Sequence, residues 1–460
     1  MRVFFTILVC KLLSFAGHII GRGSSIPGEI ALKMYPNILD KIRFPEKIIA
    51  VTGSNGKTST VEMIAHILQN QGKKVVWNKE GSNMIAGVTT VILKNCTPKG
   101  RIKADVLLLE SDERYAKYTF KYFSPTHYII TNLYRDQLTR NGHPEWVFEA
   151  IRESIPDKCT LILNADDPLV SLYGKDRDDV VWFGMDKQSF STAENTSVYD
   201  DGAFCPYCKK RMKYNFRHYN HIGDFYCENC GHKKQPTEYT ITDADLDSGI
   251  ITVNDKHKIH LSFKSIYNAY NILACFAVCD IAGIPPETIS GEISDYVLKN
   301  GRIVRYTLGG SDGTFLVSKH ENSVSYDQSI RYIIGRHTEP SEESPSAARL
   351  PSKQDKQCGV IIIVDSVSRR YSTGEVSWLW DIDFELLNAP CVEHIYLLGA
   401  HACDLETRFS YTNIPQEKIS VMPDIEKAVS EIALKKHQKL YTITCFSDKA
   451  KFLSKVTINS

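Results

Sequence analysis

Apolar residues in this chain fall into two rhythms. Short unbroken runs at Ile48–Val51 (IIAV), Lys74–Trp77, Asp105–Leu109 (DVLLL), His127–Thr131 (HYIIT) and Thr160–Leu163 (TLIL) have the length of strands buried on both faces. Between them lie helix-length stretches such as the periodic Val61–Leu68. Strand alternating with helix predicts an α/β domain with a covered parallel sheet. Asn268–Ala282 reads as a helix, with Gly283 as its stop. From about Arg302 the pattern restarts, and Gly359–Asp365 (GVIIIVD), His394–Leu398 (HIYLL) and Tyr441–Cys445 (YTITC) predict a second, smaller α/β domain. The expected organisation is therefore a helix and linker over 1–46, a larger domain over 47–300 and a C-terminal domain over 301–460. Within the last, His337–Gln357 is polar and rich in Pro and Ser, the composition of a flexible surface excursion or a partner-binding loop.

Met1–Ile20 is apolar with Phe4, Leu8, Leu12 and Phe15 at helical spacing. Lys11 interrupts the run, and the small-x-small cleavage pattern of a signal peptide is poor, so a retained amphipathic helix is expected. Such a helix either packs on the body of the protein or touches a membrane surface.

Composition narrows the class. A chain of 460 residues with 43% hydrophobic content fills two or three cores and is not wholly disordered. Lys and Arg number 55 against 54 Asp and Glu, a net charge of +1 that argues against a dedicated nucleic-acid binder. Thirteen cysteines, an odd number, fit free thiols and a metal site in a reducing, cytoplasmic setting. No apolar run reaches the ~20 residues that a membrane-spanning helix needs.

Two motifs carry chemistry. Gly53-Ser54-Asn55-Gly56-Lys57-Thr58 follows a strand and opens a helix. Glycines let backbone N–H groups close round phosphate oxygens, the helix N-terminus adds positive potential, Lys57 would neutralise the terminal phosphates and the Thr58 hydroxyl would ligate Mg²⁺. The usual first glycine of such a loop is Val51 here, so the match is to a shorter form. The second motif is a pair of C-x-x-C knuckles, Cys205/Cys208 and Cys227/Cys230, in an insert over about 203–234. Their spacing is that of a Cys₄ zinc site, and four thiolates leave no open position, so the expected Zn²⁺ is structural. His218, His221 and His232 read as surface residues rather than ligands.

V-T-G-S-N-G-K-T-S-T at Val51–Thr60 resembles the ATP loop of the Mur ligases and folylpolyglutamate synthetases. Glu110 in L-E-S-D-E, Thr131–Leu138 (TNLYRDQL), Leu163–Pro168 (LNADDP) and Tyr267–Asn271 (YNAYN) also look Mur-like. The Cys₄ insert, the Gly23–Gly28 and Asn78–Met84 (NKEGSNM) stretches, H-Y-N-H-I-G at His218–Gly223 and Val376–Glu385 (VSWLWDIDFE) resemble one branch, the MurT-type subunits of lipid II isoglutaminyl synthase, over nearly the whole length.

The resemblance implies a Mur-ligase-like ATP-binding domain with a zinc-ribbon insert and a smaller Rossmann-like C-terminal domain. It implies ATP contacts from Gly53, Asn55, Gly56, Lys57, Thr58 and Ser59, adenine-side contacts from Asn268 and Asn271, a further nucleotide contact from Arg302, and Mg²⁺ at Thr58 and Glu110. Asp112 and Glu113 lie close enough in sequence to assist Glu110 or else to be exposed. The implied reaction activates the α-carboxylate of D-glutamate in the lipid II stem peptide as an acyl phosphate, which ammonia from a GatD-type glutaminase partner converts to an amide. In that family an Asp just before the V-S-W stretch orients the partner's catalytic His. Glu375 stands at that place here, with Asp381 as the other candidate, and Asp365–Gly374 departs from the family's Asn/Asp-rich stretch. Two other readings share the ATP loop: another Mur-type amino-acid ligase, and a non-catalytic ATP-binding scaffold subunit.

Overall fold

The computed structural model describes residues 1–19, 25–79, 82–137, 141–296, 303–319, 321–335, 357–365, 374–445 and 448–459. Arg302 and most of the 337–357 excursion lie outside them. The chain divides into two compact units, Met1–Tyr134 with His143–Leu298, and Arg135–Gly142 with Lys299–Ser460.

In the first unit the apolar runs become β1 (Lys47–Thr52), β2 (Val75–Trp77), β3 (Val106–Glu110), β4 (His127–Ile130), β5 (Thr160–Asn164) and β6 (Val180–Met185). The insert forms its own hairpin, β7 (Lys213–Tyr219) and β8 (Ile222–Tyr226). The chain then returns as β9 (Tyr239–Asp245), β10 (Ile250–Val253) and β11 (His257–His260). The described strands order β11-β10-β9-β6-β5-β4-β1-β3-β2. Pairing is parallel from β2 to β9 and antiparallel from β9 to β11. Helices α1 (Arg2–Ile19), α2 (Ile26–Met34), α3 (Lys57–Asn70) and α4 (Ile85–Lys94) belong to this unit. Inward residues of the central strands, among them Ala50, Leu107, Leu109, Ile130 and Leu161, are buried with Ile7, Cys10, Val88 and Ile92 from α1 and α4.

The helix expected at the N-terminus forms, and it packs on the body of the protein through the face opposite the Phe4, Leu8, Leu12 and Phe15 stripe. The residues that pack inward are Thr6, Ile7, Cys10 and Ser14, while Phe4, Leu8, Leu12 and Phe15 face solvent. Apolar residues occupy most of the helix circumference, so spacing alone does not identify the core face.

The second unit contains β12 (Ile303–Leu308), β13 (Ser311–Ser318), β14 (Cys358–Ile363), β15 (Val392–Leu398), β16 (Ile419–Met422), β17 (Lys439–Cys445) and β18 (Thr457–Ile458). Their order is β16-β15-β14-β17-β13-β12-β18, parallel from β16 to β13, with β12 antiparallel to β13 and β18. Alternate residues of β14 enter opposite cores: Val360 and Ile362 pack with the helix Ser323–Gly335, Ile361 and Ile363 with the helix Ile425–Leu434. Both faces are covered, as a parallel sheet requires.

Candidate functional site

Parallel register brings the polar ends of distant strands together. Val51 of β1 lies opposite Glu110 of β3, and Thr52 opposite Ile130 of β4. The glycine turn therefore leaves β1 at the carboxyl edge of the sheet, beside the ends of both neighbours, where ligands of open α/β sheets bind. Gly53 and Gly56 have φ of 131° and 88°. A Cβ built on Gly53 would lie 2.2 Å from Thr131 Oγ1, and one on Gly56 would lie 1.9 Å from Asn271 Oδ1. Both positions thus need glycine for backbone conformation and for space.

The turn is fastened from behind by the segment after β4. Thr131 Oγ1 donates to the Asn55 carbonyl at 2.8 Å, and Asn132 Oδ1 accepts the Asn55 N–H at 2.9 Å. Ser54 Oγ accepts the Tyr134 N–H at 2.9 Å. One layer further out, Asp167 Oδ2 accepts the Leu133 N–H at 2.8 Å, and the Asn164 amide donates to the Thr131 carbonyl at 3.0 Å. Resemblance to the Mur ligases marks T-N-L-Y-R-D-Q-L and L-N-A-D-D-P as distinctive stretches; their supporting role emerges from the pairing of β4 with β5.

On the open side of the turn, Thr58 Oγ1 donates to Glu110 Oε2 at 2.9 Å. Asn83 donates to the other Glu110 oxygen at 3.3 Å, and Asn78 brackets the Glu110 backbone, accepting its N–H and donating to its carbonyl, both at 2.8 Å. Lys57 Nζ donates to the Gly53 carbonyl at 2.5 Å and pairs with Glu113. Asp112 and Glu113 are both buried, which resolves the alternative of exposure, and Glu113 is held at the loop by Lys57. A hydroxyl and a carboxylate this close suit a hard divalent cation, and a lysine at the mouth of a glycine cradle suits phosphate. The residues present therefore fit a Mg²⁺-nucleotide.

The two asparagines of Ile266–Ile281 separate in role. Asn271 borders Gly56. Asn268 is buried and donates to the Phe263 carbonyl at 3.0 Å, tying down the loop before its own helix. Ser59 follows Thr58 in the first turn of α3.

The four cysteines converge. Their sulfur atoms lie within 4.8 Å of one another, with Cys205···Cys230 at 3.6 Å and Cys208···Cys227 at 3.5 Å. Tetrahedral thiolates at ~2.3 Å from Zn²⁺ would be about 3.8 Å apart, so the donor set fits zinc. Each knuckle closes alike: the Lys209 N–H meets the Cys205 carbonyl and the Gly231 N–H meets the Cys227 carbonyl, both at 2.9 Å. Burial pushes the Cys205 thiol up to about 12, while the Lys210 backbone N–H draws Cys208 down to about 6.

The histidines of the insert are not surface residues. His218 and His221 are buried and His232 is half-buried, because the hairpin packs against the L-N-A-D-D-P segment. His232 Nε2 lies 2.9 Å from the Pro168 carbonyl, Tyr219 shares a 2.5 Å hydrogen bond with Tyr134, and Lys234 pairs with Asp166 at 2.7 Å. His221 Nε2 stands 3.7 Å from Asp167 Oδ2. The ribbon thus leans on the residues that hold the glycine turn.

In the C-terminal unit Glu375 is exposed, and its Oε1 accepts the Ser377 N–H at 2.7 Å, which holds the carboxyl below its ordinary range. Asp381 accepts from Arg135 at 3.2 Å. Trp378 is buried and Trp380 exposed. Nearby Asp327 is buried, accepts the Asp383 N–H at 2.9 Å, and is pushed up to about 7 by burial. Its folded pKa exceeds its unfolded one, so protonation favours the fold; the contribution is full below about pH 4 and is lost as pH rises to about 7. Asp327→Asn is expected to raise unfolding free energy by about 2–4 kcal/mol at pH 8 and by nearly nothing at pH 4. Denaturant titration at the two pH values measures the difference, and equal effects would contradict it.

Comparison with known proteins agrees with this architecture. Residues 51–279 match the Mur ligase middle domain and residues 346–448 the MurT ligase C-terminal domain. The chain is 30% identical over 436 residues to the lipid II isoglutaminyl synthase (glutamine-hydrolyzing) subunit MurT of Staphylococcus aureus, covering 94% of this chain and 92% of that one. It is 27% identical to the subunit of the same name in Streptococcus pneumoniae, over 94% and 92% of the two chains. Among solved structures, a pseudomurein peptide ligase type C from Methanothermus fervidus shares the fold at a TM-score of 0.64 and 19% identity, over 91% of this chain and 80% of that one.

Proposed function

We propose that this chain, which belongs to the MurT family of Mur-type ligases, is the ATP-dependent synthase subunit that amidates the α-carboxylate of D-glutamate in the lipid II stem peptide. The observation that carries the reading is the meeting of Thr58 and Glu110 beside Lys57 at the carboxyl ends of β1 and β3. The backbone N–H groups of Gly56, Lys57 and Thr58, where α3 opens, would hold the phosphates, Asn271 would border the base, and Thr58 with Glu110 would hold Mg²⁺, whose charge offsets that of the phosphates. Lys57 then stabilises charge on the phosphoryl group in transit. A carboxylate oxygen of the substrate attacks the terminal phosphorus and ADP leaves. Ammonia attacks the resulting acyl phosphate, phosphate departs and the nitrogen loses a proton, leaving the amide. Use of ATP places this chemistry on the cytoplasmic side of the membrane.

Ammonia would come from glutamine on a GatD-type glutaminase bound to this subunit. Co-expression with such a glutaminase, then mass analysis of lipid II after addition of ATP and glutamine, tests the reading. Conversion of acid to amide that needs both reagents supports it; addition of an amino acid instead would replace it.

Glu375 is the residue proposed to orient the partner's catalytic histidine. A carboxylate at an imidazole N–H fixes the tautomer and stabilises the cation. Glu375→Gln is expected to lower glutamine-dependent amidation by about tenfold or more while leaving amidation from free ammonia unchanged. Equal rates from glutamine in variant and wild type would remove the role.

A further inference from the structure

Helix α1 presents an apolar face to solvent. Phe4, Phe5, Leu8, Leu12 and Phe15 are 50%, 58%, 41%, 60% and 73% exposed. At 3.6 residues per turn all five fall within about 100° of arc, opposite the buried Thr6, Ile7, Cys10 and Ser14. The cations of the helix are drawn off this stripe: Arg2 donates to the Met34 carbonyl at 2.8 Å and Lys11 to the Cys96 carbonyl at 2.6 Å. That second bond ties α1 to the turn after α4, and the same turn meets Arg43, whose N–H donates to the Gly100 carbonyl at 2.7 Å. In the segments that meet α1, 26–46 and 94–105, the bases Lys33, Lys41, Arg43, Lys94, Lys99, Arg101 and Lys103 are exposed, against exposed acids at Glu29, Asp40, Glu46 and Asp105. Among the described residues no helix is long and apolar enough to cross a membrane.

We propose that α1 lies flat on an anionic lipid bilayer, its Phe and Leu side chains among the acyl chains and the flanking lysines and arginines at the headgroups. Hydrocarbon bounded by negative charge matches both features at once, and a helix of this type binds in the interface plane. A partner protein's apolar patch would match the stripe alone. The inference stands on α1 and its surroundings and does not depend on the amidation reading.

The test is flotation of the full chain with empty vesicles, without ATP. Wild type is expected to bind mixed phosphatidylglycerol–phosphatidylcholine vesicles and to be weakened by salt. Leu12→Ser with Phe15→Ser should lower partitioning by about tenfold or more, since each methylene withdrawn from the interface weakens binding. Lys99→Glu with Arg101→Glu should weaken binding to anionic vesicles by about tenfold or more and leave binding to pure phosphatidylcholine unchanged. Melting temperatures should match wild type, because these side chains meet solvent. Absence of wild-type binding, full binding by the Leu12/Phe15 variant, or a dimer that this variant dissolves while vesicles go unbound would each overturn the proposal.

Discussion

Lys57→Ala is expected to lower ATP-dependent amidation by about three orders of magnitude, the scale seen when a single group stabilising transition-state charge is removed. The side chain is buried, held by the Gly53 carbonyl and paired with Glu113. Truncation therefore has two effects, and they separate experimentally. Loss of the cation strips charge stabilisation from the transferring phosphoryl group. It also leaves Glu113 as a buried anion without its lysine, which destabilises by about 3–5 kcal/mol when such a partner is removed. Adding Glu113→Gln removes the stranded charge. The double variant should recover most of the lost melting temperature and none of the lost activity. Recovery of turnover in the double variant, or wild-type turnover in Lys57→Ala, would show that Lys57 serves folding alone.

The second large effect concerns the four thiols. Cys227→Ser, or chelation of the wild type, should release about one zinc per chain and lower the stability of the first unit by about 5 kcal/mol or more, since the energy of metal binding is folding energy in such sites. The loss should reach nucleotide binding through the residues that fasten the glycine turn. Tyr219 bonds Tyr134, whose N–H is accepted by Ser54, and His232 braces the Pro168 carbonyl next to Asp167, which accepts the Leu133 N–H. Metal content by mass spectrometry and ATP affinity by calorimetry read the two ends of this chain of contacts. Equal metal content in Cys227→Ser and wild type would remove the zinc assignment. Metal loss with unchanged ATP affinity would confine the ribbon to a local role.

The strands were legible because burial on both faces writes itself as unbroken apolar runs; IIAV, DVLLL and TLIL became parallel strands of one sheet. The glycine turn was legible because its backbone geometry and charge needs confine it to few residue types. Glu113 and Asn132 were harder. Each is one polar residue among several at a strand end, and which one turns inward depends on parallel register between segments far apart in sequence. Asn268 and Asn271 share a helical face, yet one caps a loop and the other meets the turn. The insert's histidines looked superficial because their covering surface, L-N-A-D-D-P, precedes them by a long stretch of chain. In α1 periodicity announced a stripe without saying what would cover it.

The long detour from Met185 at the end of β6 to Tyr239 at the start of β9 has a kinetic consequence. Those two strands are neighbours in the sheet, so the polypeptide must close the detour before β9 can add. Zinc bound at the knuckles would make much of that length compact and lower the entropic cost of closure. A nascent polypeptide starved of metal would stall with β6 as an unpaired edge, a template for intermolecular strand pairing. Metal supply would then govern how much of the newly synthesised protein escapes aggregation, before any question of activity arises.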